Sequence, residues 1–159
     1  MNLLEAIQSS YLSRGLSSGQ IEKLLAISRV EVHQMDDQLV KANEQNHDLM
    51  ILVTGRVSIT TLNGDVIAEI GPGSLLGEIS LVDQDTRSAS ANCLEETEVL
   101  VLPGDKLRRL MEEDMKMAAR VFLNIASVLA SRLRATNVHL GHLLDPTQNF
   151  KTSSDIWSF

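Results

Sequence analysis

Apolar positions change period twice along this chain, dividing it into three zones. Between Asn2 and about Ile27 they recur at helical spacing, as Leu3, Leu4 and Ile7 and then Ile21, Leu24 and Leu25. Arg14-Gly15 and Ser17-Ser18-Gly19 interrupt the pattern, which predicts short helices over residues 1–28 with Ser17 or Ser18 capping the second. From Val30 to Pro103 the period falls toward two, and turn signals arrive about every eight to twelve residues. Leu49 to Val53 is a compact apolar run followed by Gly55. Val57, Ile59 and Thr61 alternate with Ser58, Thr60 and Leu62, Asn63-Gly64 is a strong hairpin signal, and Val66 to Ile70 supplies the return strand. Gly71-Pro72-Gly73 marks another turn, and Val99 to Leu102 closes the series before Pro103-Gly104. Short strands with regular punctuation predict an antiparallel sandwich or jelly roll.

The third zone is helical again. Asp105 is a candidate cap for Lys106 to Glu113, and Met115 to about Leu143 contains no Pro and no Gly before Gly141. Phe122, Ala126, Leu129, Leu133, Thr136, Leu140 and Leu143 follow one another in alternating steps of four and three, a heptad seam. Val121, Ile125 and Val128 form a neighbouring stripe. A helix apolar on two sides touches two things, which fits packing on the β-zone together with a parallel partner helix across a two-fold axis. The long helix carries no acid, only Lys116, Arg120, Arg132 and Arg134, and these read as a solvated face too sparse for nucleic acid. The expected fold class is α+β: an antiparallel β jelly roll or double-stranded β-helix flanked by N-terminal helices and a long C-terminal helix. It occupies residues 1–144, with helices over 1–28, the β-roll over 30–103, helices over 105–144 and a short tail over 145–159.

Composition narrows the function. The 159 residues suit one domain, and 14 Lys plus Arg against 21 Asp plus Glu give a formal charge of −7. With aromatics at only 3%, neither base stacking nor phosphate neutralisation suits the chain, so no nucleic-acid partner is expected. Cys93 is the single cysteine, no apolar run is long enough to span a membrane, and MNLLEAIQSS lacks the basic start of a leader. A cytoplasmic protein with no membrane partner is the resulting expectation. His33 and His47 lack clustered carboxylate or histidine neighbours, and His139 and His142 have no obvious third ligand, so no metal site is expected. No nucleophile–base pair can be assembled around Cys93 or any serine, and no catalytic residue is expected.

The chemistry concentrates in Gly71 to Ala91, GPGSLLGEISLVDQDTRSASA. From Asn63 to Glu98 there are eight acids and one cation, Arg87, flanked by Thr86, Ser88, Ala89, Ser90 and Ala91. Side chains that small let a ligand approach backbone and guanidinium together, and the planar fork of Arg matches a phosphate. Gly77-Glu78 opens what reads as a single helical turn through Ile79-Ser80-Leu81. A carboxylate there repels phosphate but suits vicinal hydroxyls, as in dinucleotide sites. One Arg for phosphate, one Glu for a sugar hydroxyl and a cradle of small residues describe a nucleotide monophosphate site.

Gly77-Glu78-Ile79-Ser80-Leu81, then Val82 to Thr86, then Arg87-Ser88-Ala89 resembles the phosphate-binding cassette of cyclic-nucleotide-binding domains of the catabolite activator protein type. The resemblance extends from the N-terminal helices to about Leu144. It implies that Arg87 grips the cyclic phosphate, Glu78 takes the ribose 2′-hydroxyl and Ser88 adds a hydroxyl. Gly77 and Ser80 would then permit close backbone contact, with Ile79 and Ala89 completing the cradle. Ser131 to Asn137 resembles the end of the family's dimerisation helix, which implies that Thr136 and Asn137 reach the purine, one of them from the opposite subunit. Leu76, where an aromatic is commoner, and Ser74, where an acid often stands, depart from the family pattern. The family's transcription factors continue into a helix-turn-helix, for which Asp145 to Phe159 is too short. The resemblance therefore implies a sensor of cAMP, or of cGMP, without a DNA-reading or catalytic module and without a cofactor. It would act as a homodimer, on a separate effector protein. The other class of reading is a dimeric interaction protein that keeps the fold and uses the pocket weakly. Ile156, Trp157 and Phe159 could form an aromatic lid or a clip onto the partner subunit.

Overall fold

The computed structural model describes residues 2–144. The aromatic tail, and the role expected of it, lie outside the described residues. Two short helices open the chain, α1 (Leu3–Ser9) and α2 (Ser18–Ile27), separated by a 3-10 turn (Tyr11–Ser13) that the periodicity does not reveal. Each helix starts with a capping box. Asn2 Oδ1 accepts the Glu5 N–H at 2.8 Å while Glu5 reaches back to the Asn2 N–H. Ser17 and Gln20 repeat the arrangement, which settles the choice between Ser17 and Ser18.

Eight strands follow: β1 (Arg29–His33), β2 (Gln38–Val40), β3 (Leu49–Thr54), β4 (Val57–Thr60), β5 (Val66–Ile70), β6 (Leu75–Leu76), β7 (Ser90–Cys93) and β8 (Thr97–Leu102). They form two four-stranded sheets, ordered β1-β8-β3-β6 and β2-β7-β4-β5, with every pairing antiparallel. The six-residue helix α3 (Glu78–Asp83) interrupts the series between β6 and β7. This is the α+β jelly-roll architecture expected from the turn spacing.

The apolar run at Leu49 to Val53 is explained by burial on both faces of β3. Leu49, Ile51 and Val53 belong to the core shared with the helices, while Met50 and Leu52 belong to the core between the sheets. β8 divides the same way, Leu100 and Leu102 against Val99 and Val101. At the Asn63-Gly64 hairpin, β4 and β5 are joined by a longer loop than a two-residue turn. Gly64 sits at φ 87° with its N–H on the Thr61 carbonyl, and the ladder shifts register between Ile59 and Thr60.

Two helices close the described chain, α4 (Gly104–Glu113) and α5 (Met115–Leu144). Asp105 is not the cap of α4. Pro103 occupies that position and Asp105 lies in the first turn. The Gly104 N–H donates instead to the Asp48 carboxylate at 2.9 Å, and Gly104 presses so close to His47 that no side chain fits. The cap comes from the β2–β3 loop, which a local motif cannot reveal. Asp114 breaks α4 from α5 and caps the latter through the Met117 N–H. α5 shows the two stripes: Val121, Ile125 and Val128 are buried against the domain, whereas Phe122, Leu133 and Leu140 remain 43%, 62% and 49% exposed. No helix among the described residues is long and apolar enough to cross a membrane, and no cluster of His, Cys, Asp and Glu among them could hold a metal.

Candidate nucleotide site

β6 delivers the chain to Gly77, whose left-handed backbone (φ 87°) turns it into α3. Glycine is required there twice over. The conformation is unfavourable for any L side chain, and the Arg87 guanidinium together with the Asp48 carbonyl fills the space a Cβ would take. Arg87 arrives on the loop between α3 and β7. Its N–H donates to the Glu44 carbonyl and its carbonyl accepts from the Asn43 N–H, both at 2.9 Å, so its backbone is fastened to the β2–β3 loop.

The Arg87 side chain is 3% exposed. Nη1 donates to Ser80 Oγ at 2.8 Å, and Nη2 donates to Asn46 Oδ1 at 3.1 Å and to the Asp48 carbonyl at 2.6 Å. These oxygens are neutral, and no carboxylate forms an ion pair with Arg87 among the described residues. Burial lowers the Arg87 pKa from its usual value, while the charges of Asp48 and Glu44 oppose that shift from farther away. A guanidinium stays protonated regardless, so the fold maintains a buried cation held by neutral oxygens, with no carboxylate ion pair among the described residues.

Glu78, at the first position of α3, is also 3% exposed. Its Oε1 accepts a hydrogen bond from Arg132 Nη1, and Arg132 Nη2 donates to the Leu75 carbonyl at 3.1 Å. Burial lowers the Arg132 pKa. Arg132 thus fastens α5 to the cassette. A solvated face is the wrong description of this α5 cation, which is reached from the stripe of Ile125 and Val128. The one signal in the sequence is its position one turn before Thr136, on the side of the helix that the cassette needs.

Gly77, Glu78, Ile79, Ser80, Arg87, Ser88, Ala89 and Thr136 line one cavity of about 310 Å³, together with Arg132. Such a volume lies at the small end of the roughly 300–1,000 Å³ common for ligand sites. Asn137 is exposed and lies outside the lining. Thr136 turns its hydroxyl back to the Arg132 carbonyl at 3.0 Å. The remaining wall is aliphatic, including Ile59, Ile67 and Ile70 from the β-roll and Leu129 and Leu133 from the heptad seam of α5. Asn46 and Asp48, which hold Arg87, carry no signal in the sequence, since they are 41 and 39 residues away along the chain. Two guanidiniums and one carboxylate give the cavity a net charge of one positive, the complement of a small monoanion with an apolar body.

The chain belongs to the cyclic nucleotide-binding domain family, whose pattern its residues 30–114 match. It is 30% identical over 141 residues to the cyclic AMP receptor protein of Thermus thermophilus, a match covering 84% of this chain and 62% of that protein. The crystal structure of the Thermus thermophilus catabolite activator protein superposes with a TM-score of 0.71 at 30% identity, over 84% of this chain and 63% of that one. A cyclic nucleotide-binding domain from Methylobacillus flagellatus, 24% identical, shares the fold with a TM-score of 0.77 over 94% of this chain and 84% of its own. The chain therefore spans just under two thirds of the Thermus protein's length.

Proposed function

We propose that this domain is a regulatory sensor that binds cAMP in preference to cGMP, with no catalytic residue of its own. The observation that carries the reading is the buried Arg87, held by neutral oxygens and lacking an acidic partner among the described residues. A cyclic phosphodiester supplies one negative charge, which balances the cavity's net positive one. In this reading the Arg87 guanidinium and the Ser88 hydroxyl hold the phosphate. Glu78 keeps Oε1 on Arg132 and accepts the ribose 2′-hydroxyl through Oε2. Gly77, Ile79, Ser80 and Ala89 bring backbone close to the ring.

The purine lies along Ile59, Ile67, Leu129 and Leu133, with the Thr136 hydroxyl at its edge. Guanine brings more polar edge groups than adenine to that aliphatic wall, and each group buried without a partner costs about 1–3 kcal/mol. This favours adenine. The exposed seam of α5 pairs with the same seam of a second copy, which brings Asn137 of one chain toward the site of the other. Because the ligand would touch both the cassette and α5, binding would change how firmly the long helix is held, and that change is the signal to an effector protein.

Calorimetric titration with cAMP, cGMP and 5′-AMP tests this. The expected order of affinity is cAMP, then cGMP, then the doubly charged 5′-AMP. Absence of heat with both cyclic nucleotides at millimolar concentration would favour the interaction-protein reading instead.

A further inference from the structure

The 3-10 turn and the first half of α5 form a surface without acids. Neither residues 6–21 nor α5 contains Asp or Glu, in a chain where acids outnumber bases 21 to 14. Arg14, Lys116 and Arg120 are exposed on it, and none forms an ion pair among the described residues. Two of these cations are held in place. The Arg14 guanidinium lies 3.8 Å from the centre of the Tyr11 ring. Arg120 lies across Gly15, where a Cβ would come 3.0 Å from its Nε. Asn124 locks turn to helix by donating from Nδ2 to the Leu12 and Arg14 carbonyls, each at 2.9 Å. Lys116 stands one turn before Arg120, and Leu123, nearby on the helix, is 60% exposed. Asp114, at the border, is already engaged by Gln20 and by the α5 backbone.

From this we infer a docking surface for an acidic, amphipathic segment of a partner protein, with carboxylates on Arg14, Arg120 and Lys116 and an apolar side chain against Leu123. Guanidiniums match carboxylates in a bidentate fork, and holding them beforehand reduces the ordering penalty of association. Three cations fall short of the roughly 4–8 that mark binding to anionic lipid. The formal charge of −7 opposes a nucleic acid at long range. The surface is independent of the nucleotide reading.

The test uses a labelled synthetic helical peptide with Glu along one face and Leu along the other, beside the same peptide with Gln for Glu. Fluorescence anisotropy is read at low and high salt, with the intact protein and with the Arg14→Glu/Arg120→Glu double variant. The Glu peptide should bind more tightly than the Gln peptide and weaken with salt, and the double variant should lose at least about tenfold in affinity. Should the double variant melt early, Lys116→Glu, at an exposed position, is expected to weaken binding in the same direction. Equal binding of both peptides, no binding of either, or indifference to charge reversal overturns the proposal. Stronger retention on phosphatidylserine vesicles than on the peptide would assign the surface to lipid and overturn it as well. Self-association abolished by Arg120→Glu would assign the surface to a second copy and would likewise overturn the proposal.

Discussion

Replacing Arg132 with Met leaves the Glu78 carboxylate, 3% exposed, without its ion-pair partner, and frees the Leu75 carbonyl. Breaking a fully buried pair from one side costs about 3–5 kcal/mol. Arg132 retains 24% side-chain exposure and the pair borders a cavity, so solvent recovers part of that and about 2–3 kcal/mol remains. The Leu75 carbonyl adds up to roughly 1 kcal/mol. The Glu78→Gln/Arg132→Met double variant removes both charges and should be more stable than Arg132→Met alone. A double-mutant cycle read by urea unfolding of the ligand-free protein should give a coupling energy of about 2 kcal/mol. Coupling below roughly 0.5 kcal/mol, with Arg132→Met as stable as the parent, would refute the claim that this pair fastens α5 to the cassette.

Three further outcomes are expected. Gly77→Ala must adopt φ 87° and place a Cβ on the Arg87 guanidinium. Left-handed strain of about 1–2 kcal/mol and overpacking of about 1–3 kcal/mol should lower unfolding stability by roughly 2–5 kcal/mol, with loss of cyclic-nucleotide binding in calorimetry. The Asp114 carboxyl is held below its usual pKa by hydrogen bonds from Gln20 first and then from Met117. Its contribution is therefore complete at neutral pH and lost only as acid carries the pH below the ordinary carboxylate range and through the lowered value. An NMR titration following the Met117 amide should show that late transition, and Asp114→Asn should remove it. Leu140→Glu puts a charge on the exposed seam of α5; if the proposed pairing through that seam holds, sedimentation should show the parent as a dimer and the variant as a monomer, with cAMP affinity reduced.

The fold is legible in the sequence wherever apolar and polar side chains alternate, as in Val57 to Thr60, and wherever a cap is local, as at Ser17. It is less legible where partners are distant in sequence. Asp48 caps α4 from the β2–β3 loop, and that choice displaces Asp105. The 3-10 turn at Tyr11–Ser13 is too short for its period to register. At the candidate site, the cassette is readable because its residues are nearly contiguous and share a charge environment. Arg132, Asn46 and the aliphatic wall are not, because a helix periodicity shows which residues share a stripe but not which neighbour the stripe meets. The sequence suggests that Gly77 makes room for a ligand, whereas its immediate neighbour is the protein's own guanidinium.

The proposed role of Arg87 as a buried anion anchor is tested most directly by a crystal structure grown with cAMP. Phosphate oxygens are expected within about 3 Å of the Arg87 guanidinium, with the ribose 2′-hydroxyl on Glu78. Nucleotide bound with its phosphate away from Arg87, the guanidinium still closed on Ser80, Asn46 and the Asp48 carbonyl, would contradict it.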